Sequence, residues 1–423
     1  MFGPIAVIVA LAVAGGSASG TPAPGAAPGA PATSVAAPAP VATADTLPPR
    51  EPAAMRPATD VPYFWQTHAE RTGYRQTGTY EQTVDYLERL TTASPYLRVQ
   101  SYGTSGQGRK LLLVVAARDR AFTPELARQS GRPVVLVQCG IHAGEIEGKD
   151  AMLALLRDMA LGGPQQALLD RCILLVVPVF SPDAHERRGR FNRINQNGPE
   201  ETGWRTTPTG LNLNRDYLKA EAVEMRAFLA NVYTRWWPHL LVDTHTTDGA
   251  DYRYDLTWGA NHGPEVPPDV AGWVDSAFVG RVIPAVERMG HLAAPYVELH
   301  DPADLRRGLD DGEAPPRYSI GYPPLQCRPA VLIETHMLEP YETRVRATYD
   351  LVSALLAEVH DRPAELTDAV ARAEATVIAR GREPDPARRR VVLDTRSSAE
   401  TTMVEFHGRR PAWAYSDVAG APV

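Results

Sequence analysis

Short apolar runs at residues 111–117, 134–138, 173–179, 240–244 and 330–334 show no alternation with polar positions. Such runs predict strands buried on both faces, as in a sheet covered by helices on either side. Between them the apolar spacing becomes helical, three and four residues apart, at 79–91 (TYEQTVDYLERLT), 148–161, 222–236, 273–289 and 341–360. The alternation of the two patterns predicts an α/β domain with a largely buried central sheet flanked by helices. No internal repeat interrupts it.

The ends of the chain have a different character. Residues 5–14 are apolar and small residues follow through Gly20. This resembles a secretory h-region and cleavage site, although the usual basic n-region is missing. The run falls short of the about 20 apolar residues that span a bilayer. A signal peptide over 1–20 is therefore expected, with a secreted or periplasmic product and no membrane span in the mature chain. Residues 21–59 are mostly Ala and Pro and predict a disordered linker. The catalytic domain is expected over 60–380. The tail, 381–423, opens with EPDPARRR and offers VVLDT and TTMVEF as strands, a small β appendage that reads as truncated.

Composition narrows the function. Hydrophobic residues at 44% and charged ones at 22% suit a folded globular chain. Lys+Arg 43 against Asp+Glu 50 leaves a net charge of −7, which argues against a nucleic-acid partner. Three cysteines exclude a disulfide scaffold and an all-cysteine zinc site. Cys139 and Cys172 lie in apolar runs and read as small buried hydrophobes.

The candidate chemistry sits where the strand runs end. His142 and Glu145, in VQCGIHAGEIEG, occupy a turn between strand and helix, where two side chains three apart can converge. Open α/β sheets place their ligands at this carboxyl edge. Imidazole nitrogen and carboxylate oxygen are apt zinc donors, but a lone His-x-x-Glu is a weak signal. His245, in LLVDTHTTDG, adds a third donor at another strand end. Two His and one Glu leave a fourth tetrahedral position open, the arrangement of a catalytic zinc site. Glu334, in AVLIETHML, is placed to act as general base. The segment WRTTPTGLNLNRDY supplies Arg205, Asn214 and Arg215, suited to a substrate carboxylate or a developing oxyanion.

Taken in order, these motifs resemble the zinc carboxypeptidases of the carboxypeptidase A-like group. The likeness runs from about Thr79 to His360, beginning with TYEQTVDYLERL and the Gly-x-Ser-x-x-Gly-Arg stretch of SYGTSGQGRKLLLV. It continues through His142-x-x-Glu145, SPDA, Asn214-Arg215, His245 and Glu334. The resemblance implies a mixed central sheet and one zinc ion held by His142, Glu145 and His245. It also implies Glu334 as the catalytic glutamate and Asn214 with Arg215 as holders of the substrate's terminal carboxylate. Arg205, following Trp204 like the family's Trp-Arg, is the choice for the oxyanion arginine, with Arg193 as competitor. Tyr318 and Tyr322 both qualify for the mobile substrate-capping tyrosine, Tyr318 being preferred. One departure concerns the metal: where the family usually has Asp two residues before the Asn-Arg pair, this chain has Asn212, which brings no charge to the histidine it supports. SPDA also replaces the commoner Asn-Pro-Asp-Gly.

The implied activity is that of a zinc metallocarboxypeptidase acting on peptides or cell-wall peptides. Two alternatives are a zinc-dependent deacylase of N-acyl amino acids and a non-catalytic, carboxypeptidase-like peptide-binding protein. The sequence leaves side-chain preference and oligomeric state open.

Overall fold

The computed structural model describes residues 7–12, 54–247, 251–301, 307–310, 312, 314–392, 400–408 and 414–422. Its centre is one sheet of eight strands: β1 (Leu97–Thr104), β2 (Lys110–Ala116), β3 (Val134–Cys139), β4 (Ile173–Val177), β5 (Leu240–Thr246), β6 (Leu256–Gly259), β7 (Ala293–Pro295) and β8 (Ala330–Thr335). The spatial order is β1-β2-β4-β3-β5-β8-β6-β7. The middle strands β4, β3, β5 and β8 run parallel. β2 joins β4 antiparallel and β1 joins β2 antiparallel at one edge. β6 reverses against β8 and carries β7 parallel beyond it. The sheet is mixed, as the resemblance implied.

The reason for the unbroken apolar runs is visible in the burial. Every residue of β3, β4 and β5 is buried, so both faces need apolar side chains. Alternate residues feed two cores. Val114, Val135, Val137 and Val242 face the helices Glu147–Ala160 (α2) and Tyr341–Asp361 (α3). Leu113, Val115, Leu136 and Leu241 face Met225, Phe228 and Tyr233 on the other side. All the strands predicted from apolar runs are present within two residues of their expected ends. β1 escaped prediction because it is a half-exposed edge strand, and β6 and β7 because they are short.

The predicted helices also form. The helix Tyr80–Ala93 (α1) starts where Thr79 and Gln82 make a reciprocal capping box. The segments around 222–236 and 273–289 each contain a π-helical stretch, Leu229–Tyr233 and Val274–Val282. An additional helix, Pro363–Arg382 (α4), follows α3 directly. α2 is buried along its whole length despite carrying charged residues. Each charge has a partner: Lys149 Nζ donates to Gly78 O at 2.8 Å, Asp150 accepts from Thr77 and Tyr341, and Arg157 pairs with Glu70 at 2.6 Å.

The ends differ in part from expectation. Packing begins before residue 60: Met55 is buried and its N–H donates to Asp350 Oδ1 at 2.7 Å. Most of the expected linker, residues 21–53, lies outside the described residues, as do residues 13–20. Within the expected signal peptide, Val7–Ala12 is an extended strand paired antiparallel with Thr401–Phe406. These two strands join Leu309–Asp310 and Glu298–Leu299 in a small second sheet. TTMVEF is thus a strand, whereas VVLDT is not one at 391–392, and its remainder lies outside the described residues. Among the described residues no helix is long and apolar enough to cross a membrane.

Two consequences can be measured. A Cβ on Gly148 would collide with the Thr244 side chain, so α2 can lie this close to β5 only with glycine there. Gly148→Ala should lower stability by about 1–3 kcal/mol in chemical denaturation, the usual cost of overpacking. The second concerns His291, whose Nε2 lies 2.9 Å from Asp350 with Asp255 on its other side. Burial disfavours a charged ring, but the two carboxylates outweigh it and raise the pKa from 6.5 to about 9. A raised pKa stabilises the fold fully below pH 6.5, and that contribution is lost as pH rises through about 9. Wild type should therefore lose on the order of 2 °C in Tm across that window relative to His291→Gln, whose melting lacks this step.

Candidate metal centre and active site

β3 ends at Cys139, and Gly140 turns the chain with a φ of +66° that glycine adopts without strain. The turn closes through Glu145 N–H donating to His142 O at 3.0 Å, before α2 begins at Glu147. This brings His142 and Glu145 to one point above the sheet edge. His245 arrives from β5, and Glu334 lies directly beside it, its register partner on the neighbouring parallel strand β8. Register partners project from the same face. Two separate motifs are thereby joined by strand pairing alone.

His142 Nδ1 lies 3.1 Å from Glu145 Oε1, and His245 Nδ1 lies 2.7 Å from Oε2. The ligand atoms of the three residues fall within 4.8 Å of one another, and all three side chains are buried. Behind the rings, His142 Nε2 is 3.0 Å from Asn212 Oδ1 and His245 Nε2 is 2.6 Å from Asp243 Oδ2. Both imidazoles therefore aim Nδ1 at the same space, with Nε2 held from behind. Burial pushes the His142 pKa down, which keeps the ring neutral as a metal ligand must be. Burial also opposes ionisation of Glu145, but His142, His245 and Arg193 outweigh it and hold the carboxyl well below its usual range. At His245 burial again opposes a charged ring, but Asp243 and Glu145 outweigh it and raise the pKa well above its ordinary value, so a metal there displaces a proton. The donor set and its convergence fit a zinc ion.

A cavity of about 470 Å³ opens over this cluster. Arg205, Asn214, Arg215, Tyr318 and Glu334 line it together with the three donor residues. Trp258, Ile320 and Leu332 give part of its wall an apolar character. Arg205 Nη1 donates to Glu145 Oε1 at 2.9 Å, and the Arg215 guanidinium stacks 3.8 Å from the centre of the Tyr318 ring.

Residues 83–234 match the family model Peptidase_M14, zinc carboxypeptidase. Over that stretch, roughly a third of its length, the chain is similar to the zinc carboxypeptidases. Carboxypeptidase 2 of Trichophyton rubrum is 24% identical over 234 residues, covering 52% of this chain and 40% of that protein. Carboxypeptidase 2 of Trichophyton equinum is 25% identical over 203 residues, covering 47% and 32%. The chain thus spans less than half the length of the curated relatives it matches. A Shewanella denitrificans structure assigned to carboxypeptidase A superposes with a TM-score of 0.50 at 19% identity, over 67% of this chain and 69% of that one. That likeness concerns the fold.

Within this zinc carboxypeptidase fold the residues singled out in the sequence separate into two groups. His142, Glu145, His245, Glu334, Arg205, Asn214, Arg215 and Tyr318 meet at the cavity. Arg193 is near but turned inward and is not among the lining residues: Nη1 donates to Glu145 at 2.9 Å, Nη2 to Thr246 O at 3.0 Å and Nε to Gln196 at 3.0 Å. Tyr322 packs 5.6 Å from both Tyr217 and Tyr233, in the core beneath. SPDA and SGQGR meet each other: Asp183 accepts from Ser105 Oγ, Gln107 N and Arg109 Nη1 at 2.8, 2.8 and 2.9 Å, fixing the β1–β2 turn.

Sequence reasoning missed Asp243 and Ser319. Asp243 precedes His245 by two residues on a strand, so period-two geometry was the available signal. Ser319 carried none.

The apoprotein should bind one equivalent of zinc. His142→Ala and His245→Ala should each weaken binding by more than about 100-fold, read by competition with a chromophoric chelator, because each removes one of three protein donors.

Proposed function

We propose that the chain is a zinc-dependent metallocarboxypeptidase that releases C-terminal residues from peptides. The observation that carries the reading is Glu334 in register beside His245 within a cavity whose wall also carries Arg205 and Arg215. His142, Glu145 and His245 would hold the metal, which when bound supplies the Lewis acidity that activates water and polarises the scissile carbonyl.

The remaining steps belong to the chain's own side chains. The Glu334 carboxylate takes a proton from the attacking water and returns it to the leaving amine. Arg205 donates to the carbonyl oxygen as negative charge develops there. Arg193, turned inward, orients Glu145. Arg215 pairs with the free C-terminal carboxylate, a fork geometry suited to bidentate contact. Asn214 Oδ1 is already engaged by Ser319 N at 2.8 Å and its Nδ2 lies 3.3 Å from His245 Nε2, so one remaining Nδ2 hydrogen is what it has to assist. Tyr318, stacked on Arg215, covers the terminal residue. Trp258, Ile320 and Leu332 favour an apolar side chain at that residue. Residues 5–20 support export of the protein, and the catalytic unit corresponds to the packed region around 60–380.

Zinc-loaded protein incubated with a mixed peptide pool should yield products shortened from the C-terminus by mass spectrometry. Apolar C-terminal residues should be removed ahead of basic or acidic ones. Glu334→Gln should retain zinc and lose about 10²–10⁴-fold in turnover. Near-normal activity in that variant would overturn the mechanism. Cleavage of N-acyl amino acids with an untouched peptide pool would replace the peptidase by a deacylase.

A further inference from the structure

The two histidines of the metal centre are backed unequally. Behind His142 stands the neutral amide of Asn212, and behind His245 stands the carboxylate of Asp243, itself fully buried. Asp243 Oδ2 does more than hold the ring, because it also accepts the Ser319 hydroxyl. Ser319 follows Tyr318 in the chain, and its N–H donates to Asn214 Oδ1 at 2.8 Å. Asn214 Nδ2 in turn lies 3.3 Å from His245 Nε2. One serine thus ties the segment bearing Tyr318 to the back of a metal-facing histidine through Asp243.

We infer that Asp243 is the charged positioning residue of the metal centre, in place of the acidic group missing at Asn212, and that Ser319 couples the Tyr318 segment to the metal through it. The inference rests on the reading of His142, Glu145 and His245 as zinc ligands. A carboxylate accepting from Nε2–H fixes the tautomer, leaves the Nδ1 lone pair free and makes that nitrogen a stronger donor. An amide acceptor fixes the tautomer but adds no charge. The charge is therefore delivered to His245 rather than His142, on a strand instead of the loop before Asn214. The carboxylate's orientation is set partly by Ser319, so ordering of the metal site and of the Tyr318 segment are linked.

The test is a zinc titration of apoprotein against a chromophoric chelator, with wild type, Asp243→Asn, Asn212→Asp/Asp243→Asn and Ser319→Ala, each checked for folding by thermal melting. Asp243→Asn should weaken zinc binding about 10–100-fold. The double variant, which moves the charge behind His142, should recover at least about tenfold of that loss, a rescue that a merely structural role for Asp243 would not give. Unchanged affinity in Asp243→Asn, or no recovery in the double variant, overturns the positioning role. The coupling has its own readout: Arg317 is exposed immediately before Tyr318, and zinc should slow tryptic cleavage there in wild type but not in Ser319→Ala. Equal protection in both overturns the coupling. Should Asp243→Asn fail to fold, the double variant compared with Asn212→Asp alone measures the same exchange of charge. A wild type that binds no zinc overturns the metal centre and the inference together, which distinguishes that failure from the others.

Discussion

A carboxylate buried beneath a cavity has to be met by positive or hydrogen-donating groups, and Glu145 is the place where this chain meets that demand. His142, His245, Arg193 and Arg205 all approach its two oxygens within 3.1 Å. These partners come from separate parts of the chain: the turn after β3, the end of β5, and two loop positions beyond β4. Remove the carboxylate and nothing draws them to one point. Its position, at the carboxyl edge of four parallel strands, is also where backbone direction leaves room for a ligand.

The sheet supplies the precision that this arrangement needs. Side chains on a strand are placed by register, and the pairing of Glu334 with His245 places the proposed general base beside the candidate metal donors with no loop in between. Leu332, two residues earlier on β8, shares that face and continues the apolar wall of the cavity. α2 holds the metal turn from the other side, seated closely on β5 through Gly148. Gly203 performs a comparable service for the arginine loop: a Cβ there would lie 2.7 Å from Ala143 O, so only glycine lets Trp204 and Arg205 pass beside the metal turn. Strands thus carry His245 and Glu334, the turn before α2 carries His142 and Glu145, and loops carry Arg205 and Tyr318 at the cavity.

The arginines and tyrosines illustrate what pairwise proximity in sequence leaves undecided. Arg193 and Arg205 touch the same oxygen of Glu145 at the same 2.9 Å, yet one spends its remaining donors on the protein interior and the other lines the cavity. Tyr318 and Tyr322 are four residues apart, but the short helix Tyr322–Leu325 turns the second ring into an aromatic cluster.

The apolar strands, most helices and the three candidate metal donors were legible from the sequence because each depends on local information. Full burial imposes unbroken apolar runs on β3, β4 and β5, helical spacing marks α1, α2 and α3, and the donor residues stand at the ends of those runs. The half-exposed β1 escaped because little in its pattern separates it from solvated chain, whereas α4 does carry helical spacing at Leu366, Ala369, Val370 and Ala373. What the sequence by itself determined is therefore the frame and the kinds of atom offered at its edge. Only the tertiary structure decided which face each loop residue presents: that Arg205 and Tyr318 look into the cavity, that Arg193 and Tyr322 look away, and that Ser319 and His245 share one carboxylate oxygen of Asp243. Those choices depend on contacts between segments far apart in the chain, and a contact of that kind leaves no periodic trace in either segment alone.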